Sequence, residues 1–237
     1  MKAHRTPTAK IEASEVPRYT VTEAARYLQI PATTMRSWVV GRSYSTQQGP
    51  KRWEPLLKVP DLESGRLSFS NLIEAHVLCA LRRQFKVRMR EIRTALEYAR
   101  EALGVDRVLL SKELRATHGN VLLQELDSLI NLGKGGQVAL QEIFDAYLQR
   151  VEWDPKGPPL RIFPLTRPDY RNVPRLITID PCIAFGRPIL QSRGITTSIL
   201  AERFRAGESI TDLAEDYDLK GFEVEEAIRY EALATAA

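Results

Sequence analysis

Residues 21–38 read VTEAARYLQIPATTMRSW, and this stretch decides how the first part of the chain folds. Thr20 precedes the stretch and Glu23 follows three residues later, which is the spacing of a capping box at the start of a helix. Pro31 fits the first turn of a second short helix, which Gly41 ends. Apolar residues at helical spacing predict one small core shared by both helices: Ala24, Ala25, Leu28, Ile30, Met35 and Trp38.

The charge of the chain is distributed unevenly along its 237 residues. Residues 1–100 hold 18 Lys and Arg against 9 Asp and Glu, whereas residues 176–237 hold 6 against 11. Residues 101–175 are neutral, and the whole chain carries +4. A basic segment attracts a polyanion such as DNA, and an acidic segment is repelled by it. The distribution therefore predicts DNA binding by the first segment and a protein partner for the last one.

Helical spacing predicts four outward-facing polar side chains on the second helix, those of Thr33, Thr34, Arg36 and Ser37. The stretch VTEAARYLQIPATTMRSW resembles the first helix pair of MerR-type and excisionase-type winged domains. This resemblance implies that the second helix enters the major groove of DNA, where the four side chains would touch phosphates or base edges. The alternative is a plain helical hairpin whose polar residues are solvated.

Residues 42–66, RSYSTQQGPKRWEPLLKVPDLESGR, contain three prolines and two glycines and are too irregular for a helix. We expect a loop with short strands, which would form the wing of such a domain. The indole of Trp53 favours a packing anchor over a platform for base stacking. Five basic side chains of the segment could reach backbone phosphates: Arg42, Lys51, Arg52, Lys58 and Arg66.

Two longer amphipathic helices follow, the first beginning near Ser70 and the second ending at Gly104. Their apolar stripes are Ile73, Val77, Leu81 and Phe85 in the first, and Ile92, Leu96, Ala99 and Leu103 in the second. Residues 82–93 between the stripes read RRQFKVRMREIR, with six Arg or Lys in twelve residues. These charges form either a solvated surface or an extension of the DNA contact, and the sequence leaves both open.

Residues 107–126 alternate as VLLSKEL and VLLQEL on either side of a His118-Gly119-Asn120 turn, which predicts a β-hairpin. The run Gly133-Lys134-Gly135-Gly136 predicts a flexible turn before another helix. A hairpin and a helix with exposed aliphatic faces could pair two copies of the chain, since DNA-binding proteins are often two-fold dimers. We therefore expect a homodimer held together by residues 105–151.

Six prolines lie within residues 152–175, which predicts an extended, semi-rigid connector outside any core. The tetrapeptide LRIF within it could add an edge strand. The expected fold class is mainly α with small β-hairpins. Its expected units are a flexible arm (1–17), a MerR-like winged helix-turn-helix domain (18–104), a dimerisation segment (105–151), a Pro-rich linker (152–175) and a small three-helix domain (176–237).

The last segment carries the second resemblance. Helical periodicity predicts short helices over about 196–204, 209–217 and 221–233. The segment resembles a small bacterial domain family of unknown function that has since been associated with antitoxins. The matching residues are Asp180-Pro181, Gly186-Arg187-Pro188, Ala206-Gly207-Glu208-Ser209-Ile210, the run from Asp212 to Tyr217, and the run from Val224 to Tyr230. The whole chain is similar to the larger VapB-type antitoxins, which implies a PIN-type or PIN-like ribonuclease toxin as partner.

Five charged residues of this segment are candidates for contact with the toxin. Glu223, Glu225 and Glu226 lie on the third predicted helix, where they would repel phosphates and attract a basic protein groove. The resemblance implies a toxin site of metal-binding carboxylates, and Arg187 or Arg193 could pair with these bidentately.

Two further observations bear on the arginines. Arg187 could instead hold its own turn by pairing with Asp180. The family commonly has a Gly-Thr-Arg-Ile run after its Gly-Arg-Pro triplet, whereas this chain has Gln191-Ser192-Arg193-Gly194-Ile195. Arg193 is therefore shifted by one position from the family pattern.

Composition argues against several other classes of protein. The chain has no 18-residue apolar run and no signal peptide pattern, so we expect no membrane contact and a cytoplasmic location. Cys79 and Cys182 are isolated, which predicts reduced structural thiols. The three histidines are far apart, and no catalytic or phosphate-binding motif is present. We expect no enzyme activity, no catalytic residues, no metal and no cofactor.

Together with the charge distribution, the resemblance to VapB-type antitoxins implies a type II antitoxin that neutralises a PIN-type ribonuclease toxin and represses its own operon by binding operator DNA. The alternative is a stand-alone MerR-like transcriptional regulator whose middle segment binds a small-molecule effector. An enzyme is the weakest hypothesis, because clustered carboxylates or histidines are lacking.

Overall fold

The computed structural model describes residues 13–46, 49–61, 63–83, 87–131, 133–155, 157–167 and 173–236. Over these ranges the protein is mainly helical with small antiparallel strand pairs, as the sequence predicts. The helices are α1 (Val21–Tyr27), α2 (Ala32–Val39), α3 (Phe69–Arg83), α4 (Met89–Leu103), α5 (Lys112–Ala116), α6 (Asn120–Ile130), α7 (Gly133–Leu148), α8 (Thr197–Arg205), α9 (Ile210–Asp216) and α10 (Gly221–Ala236). None of the helices described is both long and apolar enough to cross a bilayer.

The strands form two-stranded antiparallel sheets in the described ranges: β1 (Arg42–Thr46) with β2 (Gly49–Trp53), β3 (Val151–Trp153) with β4 (Pro159–Ile162), and β5 (Ile177–Thr178) with β6 (Ile189–Leu190). Two single turns of 3₁₀ helix lie at Val108–Leu110 and Ala184–Gly186. Parts of the sequence predictions lie outside the described residues, namely positions 1–12 of the expected arm, residues 84–86 with Phe85 of the first apolar stripe, and residues 168–172 of the expected linker.

The predicted capping box opens α1. The Glu23 N–H donates to Thr20 Oγ1 at 3.1 Å, and the Thr20 N–H donates to Glu23 Oε2 at 2.8 Å. These two hydrogen bonds satisfy backbone N–H groups that have no partner within the helix at its start. The predicted small core of the two helices is confirmed, since all of its members are buried: Ala24, Ala25, Leu28, Ile30, Met35 and Trp38.

Helix α3 is buried on all of its faces, not only along the predicted stripe. Every residue from 67 to 81 is buried. The helix packs against α7, the 3₁₀ turn at Val108–Leu110 and β4. Its buried polar groups have partners, which such burial requires. Asn71 Nδ2 donates to the Lys58 carbonyl oxygen at 3.0 Å, and His76 Nε2 lies 3.0 Å from the Tyr147 carbonyl oxygen.

An ion-pair network ties α3 to segments on either side of it. Arg107 donates to the buried Glu74 carboxylate at 2.7 and 3.0 Å, and to Glu15 at 2.9 and 3.1 Å. Burial acts to lower the pKa of Arg107, but the hydrogen bonds and charges of Glu74 and Glu15 raise it overall. The guanidinium therefore stays charged and compensates a carboxylate that lies inside the fold.

The β-hairpin predicted for residues 107–126 is wrong. This region folds as the 3₁₀ turn at Val108–Leu110 followed by α5 and α6. Its leucines at 122, 123 and 126 are all buried, which is the face of a helix and not the alternation of a strand. The predicted turn does exist, with positive φ at His118 and Gly119, but it joins two helices. Gly119 is packed against the ring of Phe144, so this turn has no room for a side chain.

Two further predictions for the middle of the chain need correction. The glycine run that begins at Gly133 is not a turn before a helix but the first turn of α7. Residues 152–175 are not a connector outside the core, because Ile162, Phe163 and Leu165 are buried in it. The edge strand expected from LRIF is present as β4, in which Ile162 pairs with Val151 of β3.

A buried arginine fixes this proline-rich segment. The guanidinium of Arg150 donates to four backbone carbonyl oxygens at 2.5 to 3.3 Å, those of Phe163, Pro164, Val173 and Pro174. Burial and the nearby charge of Arg175 lower the pKa of Arg150 to about 10. Five N–H donors in a rigid fork suit this task, and they hold residues 163–164 and 173–174 against the end of α7.

Residues 176–236 have a core of their own. It is formed by β5, β6, α8, α9 and α10, with seven buried members: Ile177, Leu190, Leu200, Leu213, Val224, Ala227 and Tyr230. Ser209 caps α9 as predicted, since its Oγ accepts from the Asp212 N–H at 3.1 Å.

This second core is docked onto the start of the chain. Tyr230 of α10, which is fully buried, donates its hydroxyl hydrogen to the carbonyl oxygen of Tyr27 at 2.9 Å. Arg18 Nη1 donates to the Pro181 carbonyl oxygen at 2.6 Å, and α10 contacts α1. The two ends of the chain, opposite in charge, therefore touch in the folded protein.

The Arg107 network gives a test of this packing. Arg107→Ala removes the cation beside the buried Glu74 and is expected to lower the free energy of unfolding by about 2–4 kcal/mol. Urea denaturation followed by circular dichroism measures the change.

A matched control uses an exposed ion pair of the same type. Arg100 lies 3.5 Å from Glu97 on the surface of α4, and Arg100→Ala should cost less than about 0.5 kcal/mol. Equal losses for the two variants would show that Arg107 is as well solvated as Arg100.

Candidate nucleic-acid and protein interfaces

A groove of about 800 Å³ lies between α2, the β1–β2 hairpin and the start of α4. Its walls carry five of the nine side chains that the sequence nominates for DNA contact. Those five are Thr33, Thr34, Arg36, Ser37 and Arg42. The fold therefore brings the polar face of α2 and the first residue of the hairpin to one concave surface.

The α2 side chains are presented to this groove in different ways. Thr33 and Arg36 are exposed, whereas Thr34 and Ser37 are half-buried. The Ser37 hydroxyl donates to the carbonyl oxygen of Thr34 at 2.7 Å, so its hydrogen is used within the helix. The Arg36 guanidinium and the Thr33 hydroxyl are thus the two α2 groups best placed to reach a ligand.

Stacked aromatic side chains stiffen the hairpin. Tyr44 and Trp53 stack with their ring centroids 5.1 Å apart and an interplanar angle of 18°. The Arg93 guanidinium of α4 lies 5.5 Å from the Trp53 ring centroid. Trp53 is therefore a packing anchor, as the sequence analysis favours, and it links the hairpin to α4.

The remaining candidates for DNA contact lie outside the groove. Lys51 and Arg52 are exposed on β2, and Arg52 Nη2 donates to the Val40 carbonyl oxygen at 3.0 Å. Lys58 is exposed beyond the hairpin. Arg66 Nη1 donates to the Arg18 carbonyl oxygen at 2.9 Å, near the start of α3. Lys51 and Arg52 extend the basic surface on the hairpin, and Arg66 is also exposed.

Two basic residues that were not singled out from the sequence also line the groove, namely Arg82 and Arg93. Burial lowers the pKa of Arg93, against an opposing effect of the Glu54 charge. Both belong to the basic run 82–93, for which the sequence leaves two readings open. Another member of that run, Arg88, pairs instead with Glu91 at 3.1 Å on the surface of α4. The run is thus divided between groove wall and solvated surface.

The three acidic candidates on α10 do not form one exposed face. Glu225 is exposed, but Glu223 is 8% and Glu226 only 2% exposed. The expectation that all three face outward is wrong, because helical spacing places 223 and 226 on the side that packs inward. Their carboxylates have internal partners.

Hydrogen bonds account for the ionisation of both buried carboxylates. Burial opposes ionisation of Glu223, but the N–H of Lys220, which donates at 2.9 Å, together with nearby positive charges lowers its pKa overall. Burial likewise opposes ionisation of Glu226, and bonds from Thr166, Arg167 and Arg229 lower its pKa. Because Thr166 and Arg167 precede the C-terminal segment, Glu226 helps to fasten α10 to the rest of the fold.

The two candidate arginines have different surroundings. Arg193 is held by an ion pair with Asp218, and its Nε donates to the Asp218 carbonyl oxygen at 2.9 Å. This contact braces the turn between α9 and α10. Arg187 is exposed. The Asp180 carboxylate, the suggested partner of Arg187, accepts the Cys182 N–H at 2.8 Å.

The loop that carries Arg187 displays an apolar residue that sequence reasoning missed. Phe185 is 83% exposed. It lies in the 3₁₀ turn, where Ala184, Phe185 and Gly186 have φ angles of 47°, 56° and 72°. A Cβ on Gly186 would come within 2.2 Å of Tyr19 Oη, so glycine is required where this loop meets the start of the chain. The sequence offers one sign of this exposed residue, namely that Phe185 is an isolated aromatic residue next to the Gly-Arg-Pro triplet.

The described residues contain no group of three or more His, Cys, Asp or Glu side chains that could hold a metal ion. Cys79 is buried and Cys182 half-buried, and the two are not joined in a disulfide.

Comparison with known families gives two matches along the chain. A family described as "Putative DNA-binding HTH domain" matches residues 17–96, which hold the groove. A family described as a protein of unknown function, DUF433, matches residues 177–230. The second match covers the segment with its own core and the Phe185 loop.

Similarity to a curated protein extends over most of the chain. The chain is 27% identical over 232 residues to a protein of Mycobacterium tuberculosis strain H37Rv named "Putative antitoxin VapB45", covering 90% of this chain and 93% of that protein. The similarity to VapB-type antitoxins that the sequence indicates is therefore confirmed. The fold is similar to the X-ray crystal structure of Rv2018 from Mycobacterium tuberculosis, with a TM-score of 0.62, 24% identity and coverage of 90% of this chain and 98% of that one. This second likeness concerns the fold alone.

The contact between Gly186 and Tyr19 gives a prediction. Gly186→Ala is expected to lower the free energy of unfolding by about 2–4 kcal/mol, because a left-handed alanine is strained and its methyl group overlaps the Tyr19 hydroxyl. Thermal unfolding followed by calorimetry measures the change.

The control has almost the same backbone angle but open space around it. Gly194 has a φ of +73° with nothing within 4 Å of an added Cβ, so Gly194→Ala should cost only about 1–2 kcal/mol from strain. If the two variants lose equal stability, the overlap with Tyr19 plays no part.

Proposed function

We propose that this protein is the antitoxin of a type II toxin–antitoxin system. It binds operator DNA through the groove beside α2, binds a PIN-type ribonuclease toxin through residues 176–237, and represses its own operon. The single observation that carries the proposal is the groove, which is a basic concave surface. It lies in a chain of which 90% aligns with a protein named as a putative antitoxin. No catalytic role, cofactor or metal is part of the proposal, and the protein acts in the cytoplasm, with its operator.

The DNA contact follows from the geometry of the groove. Helix α2 would enter the major groove and bring Thr33 and Arg36 to base edges or phosphates. The β1–β2 hairpin would act as the wing of a MerR-like domain and place Arg42, Lys51 and Arg52 along the backbone. A net charge of +9 over residues 1–100 adds a long-range attraction that depends on salt.

Dimer formation would double this contact. An operator is commonly read by a two-fold dimer whose recognition helices lie about one turn of DNA apart, roughly 34 Å. We assign the dimer contact to residues 105–151. Exposed apolar side chains on α6 and α7, those of Leu129 and Val138, are compatible with this role.

The toxin contact falls to the segment with excess negative charge. Of the five candidates, Arg187, Arg193 and Glu225 are exposed, and the Arg193 guanidinium is paired with Asp218. Glu223 and Glu226 are buried, so they would affect toxin binding through the shape of the segment, as would the contact of Arg193 with Asp218. Binding of the toxin to the DNA-bound antitoxin would change the occupancy of the operator, so the amount of toxin would tune repression by mass action.

One observation favours the alternative of an effector-sensing, MerR-like regulator. A cavity of about 510 Å³ lies beside α7 in the middle segment, and its lining includes Glu142, Asp145, Arg150 and Arg175. Charged walls of both signs would suit a small polar molecule. Repression that a small molecule relieves, with no toxin partner, would favour this alternative.

The DNA contact is tested by substitution in the groove. Arg36→Ala should weaken binding to the protein's own promoter fragment about tenfold or more, and Arg42→Ala should also reduce the slope of log affinity against log salt by about 1. Fluorescence anisotropy with labelled DNA at several salt concentrations measures both.

Arg205→Ala is the charge-matched control, since Arg205 is exposed on α8 in the acidic segment. It should leave both affinity and salt slope unchanged. A loss of DNA binding as large as that of Arg36→Ala would mean that net charge and not the groove determines affinity.

The toxin contact is tested by co-expression of the tagged chain with the product of the adjacent open reading frame. We expect a stable complex on a sizing column and inhibition of that partner's ribonuclease activity. Deletion of residues 176–237 is a poor probe, because α10 packs on α1 and its loss would disturb the DNA-binding part. A homodimer that elutes alone and still binds its promoter would favour the effector-sensing regulator.

A further inference from the structure

We infer that the loop Ile183–Arg187 is the anchor by which the chain holds its protein partner, with Phe185 as the side chain that enters the partner. The inference rests on the proposed toxin binding and adds the place and the chemistry of the contact. The partner is expected to offer an apolar recess for the phenyl ring, with carboxylate groups beside it for Arg187.

The phenyl ring of Phe185 is unusually exposed. Phe185 is 83% exposed, more than any other large apolar side chain among the described residues. Burial of a phenylalanine side chain gains about 1.5–3 kcal/mol, and this fold leaves that gain unused. Its neighbour Ile183 is 44% exposed, so the apolar surface extends over part of the same short loop.

The backbone of this loop has an uncommon conformation. Three consecutive residues, Ala184, Phe185 and Gly186, have positive φ angles, although alanine and phenylalanine rarely adopt them. Each such non-glycine residue costs about 1–2 kcal/mol. Strained conformations of this kind persist where the surrounding structure holds them, and they concentrate at functional positions.

The surroundings do hold this loop. The N–H groups of Ile183, Gly186 and Arg187 donate to carbonyl oxygens three residues earlier, at 3.0, 2.9 and 3.1 Å. The start of the chain also contacts the loop. Arg18 Nη1 donates to the Pro181 carbonyl oxygen at 2.6 Å, and Gly186 lies against the Tyr19 hydroxyl. The aromatic side chain is therefore displayed on a preformed support, which reduces the entropy lost when a partner binds.

The residue types and the local charge point to the chemistry of the partner. Aromatic residues and arginine are the side chains most enriched among those that dominate binding energy at interfaces. Arg187 is exposed two positions after Phe185, while Gly186 between them is buried. An exposed guanidinium pairs best with a carboxylate. The complement is thus an apolar recess with acidic groups at its rim.

The experiment uses the full-length chain and the product of the adjacent open reading frame as the probe. Phe185→Ala should weaken binding about 30-fold or more in isothermal titration calorimetry, and Phe185→Tyr, which keeps the ring, should restore most of it. Arg187→Ala should weaken binding about tenfold and reduce its dependence on salt.

Two controls separate the loop from general effects. Tyr98→Ala removes another exposed aromatic side chain, on α4, and should change affinity less than threefold. Promoter binding by Phe185→Ala should equal that of the unmodified chain, which shows that the variant is folded. Hydrogen exchange on the unmodified complex provides an independent readout, because the amides of residues 183–187 should exchange more slowly when the partner is bound.

The outcomes distinguish the proposed toxin binding from the proposed anchor. If the unmodified chain does not bind the adjacent gene product, the proposed toxin binding fails and the anchor fails with it. If it binds and Phe185→Ala binds equally well without protection of residues 183–187, the proposed function stands and the anchor is wrong. Weaker binding by Phe185→Ala that Phe185→Tyr restores supports the anchor.

Discussion

Burial of α3 on all sides from Phe69 to Leu81 is the constraint on which the rest of this structure depends. A helix without a polar face must be covered by other elements on all sides, because each exposed apolar side chain would lose the free energy gained by its burial. The start of α3 is tied to the start of α1 by the backbone bonds between Leu67 and Tyr19. Its middle is fixed by the Glu74–Arg107 pair and by packing on α7. The positions of α2, the hairpin and α4 around the groove follow from this frame.

The acidic end of the chain shows why formal charge differs from surface charge. Three of its glutamates, Glu223, Glu226 and Glu231, are buried and serve as hydrogen-bond acceptors inside the fold. Each accepts a hydrogen bond there, since a buried carboxylate without partners would be expensive. The surface offered to a partner is therefore less acidic than the sequence indicates, and exposed apolar and basic groups near residue 185 become more important.

The docking of the C-terminal core on α1 places two proposed binding functions in one framework. The loop before β6 rests on Tyr19, and α10 binds the last carbonyl oxygen of α1 through Tyr230. Helix α1 in turn packs against α2, which faces the groove. If a partner bound at the loop alters this docking, it alters DNA affinity, and linkage requires an equal effect of DNA on the partner.

Local interactions are what the sequence by itself determined about this protein. The capping box of α1, the serine cap of α9 and the left-handed Gly104 that ends α4 each involve residues a few positions apart, so spacing alone reveals them. The polar face of α2 and the basic hairpin could be predicted for the same reason. Only the tertiary structure decided between strand and helix for residues 107–126, because paired leucines fit both periods until packing selects one face. It also decided that the buried Glu226 accepts a hydrogen bond from Thr166 and that Arg93 lies against Trp53 at the groove, since contacts between residues far apart in the chain leave no local pattern.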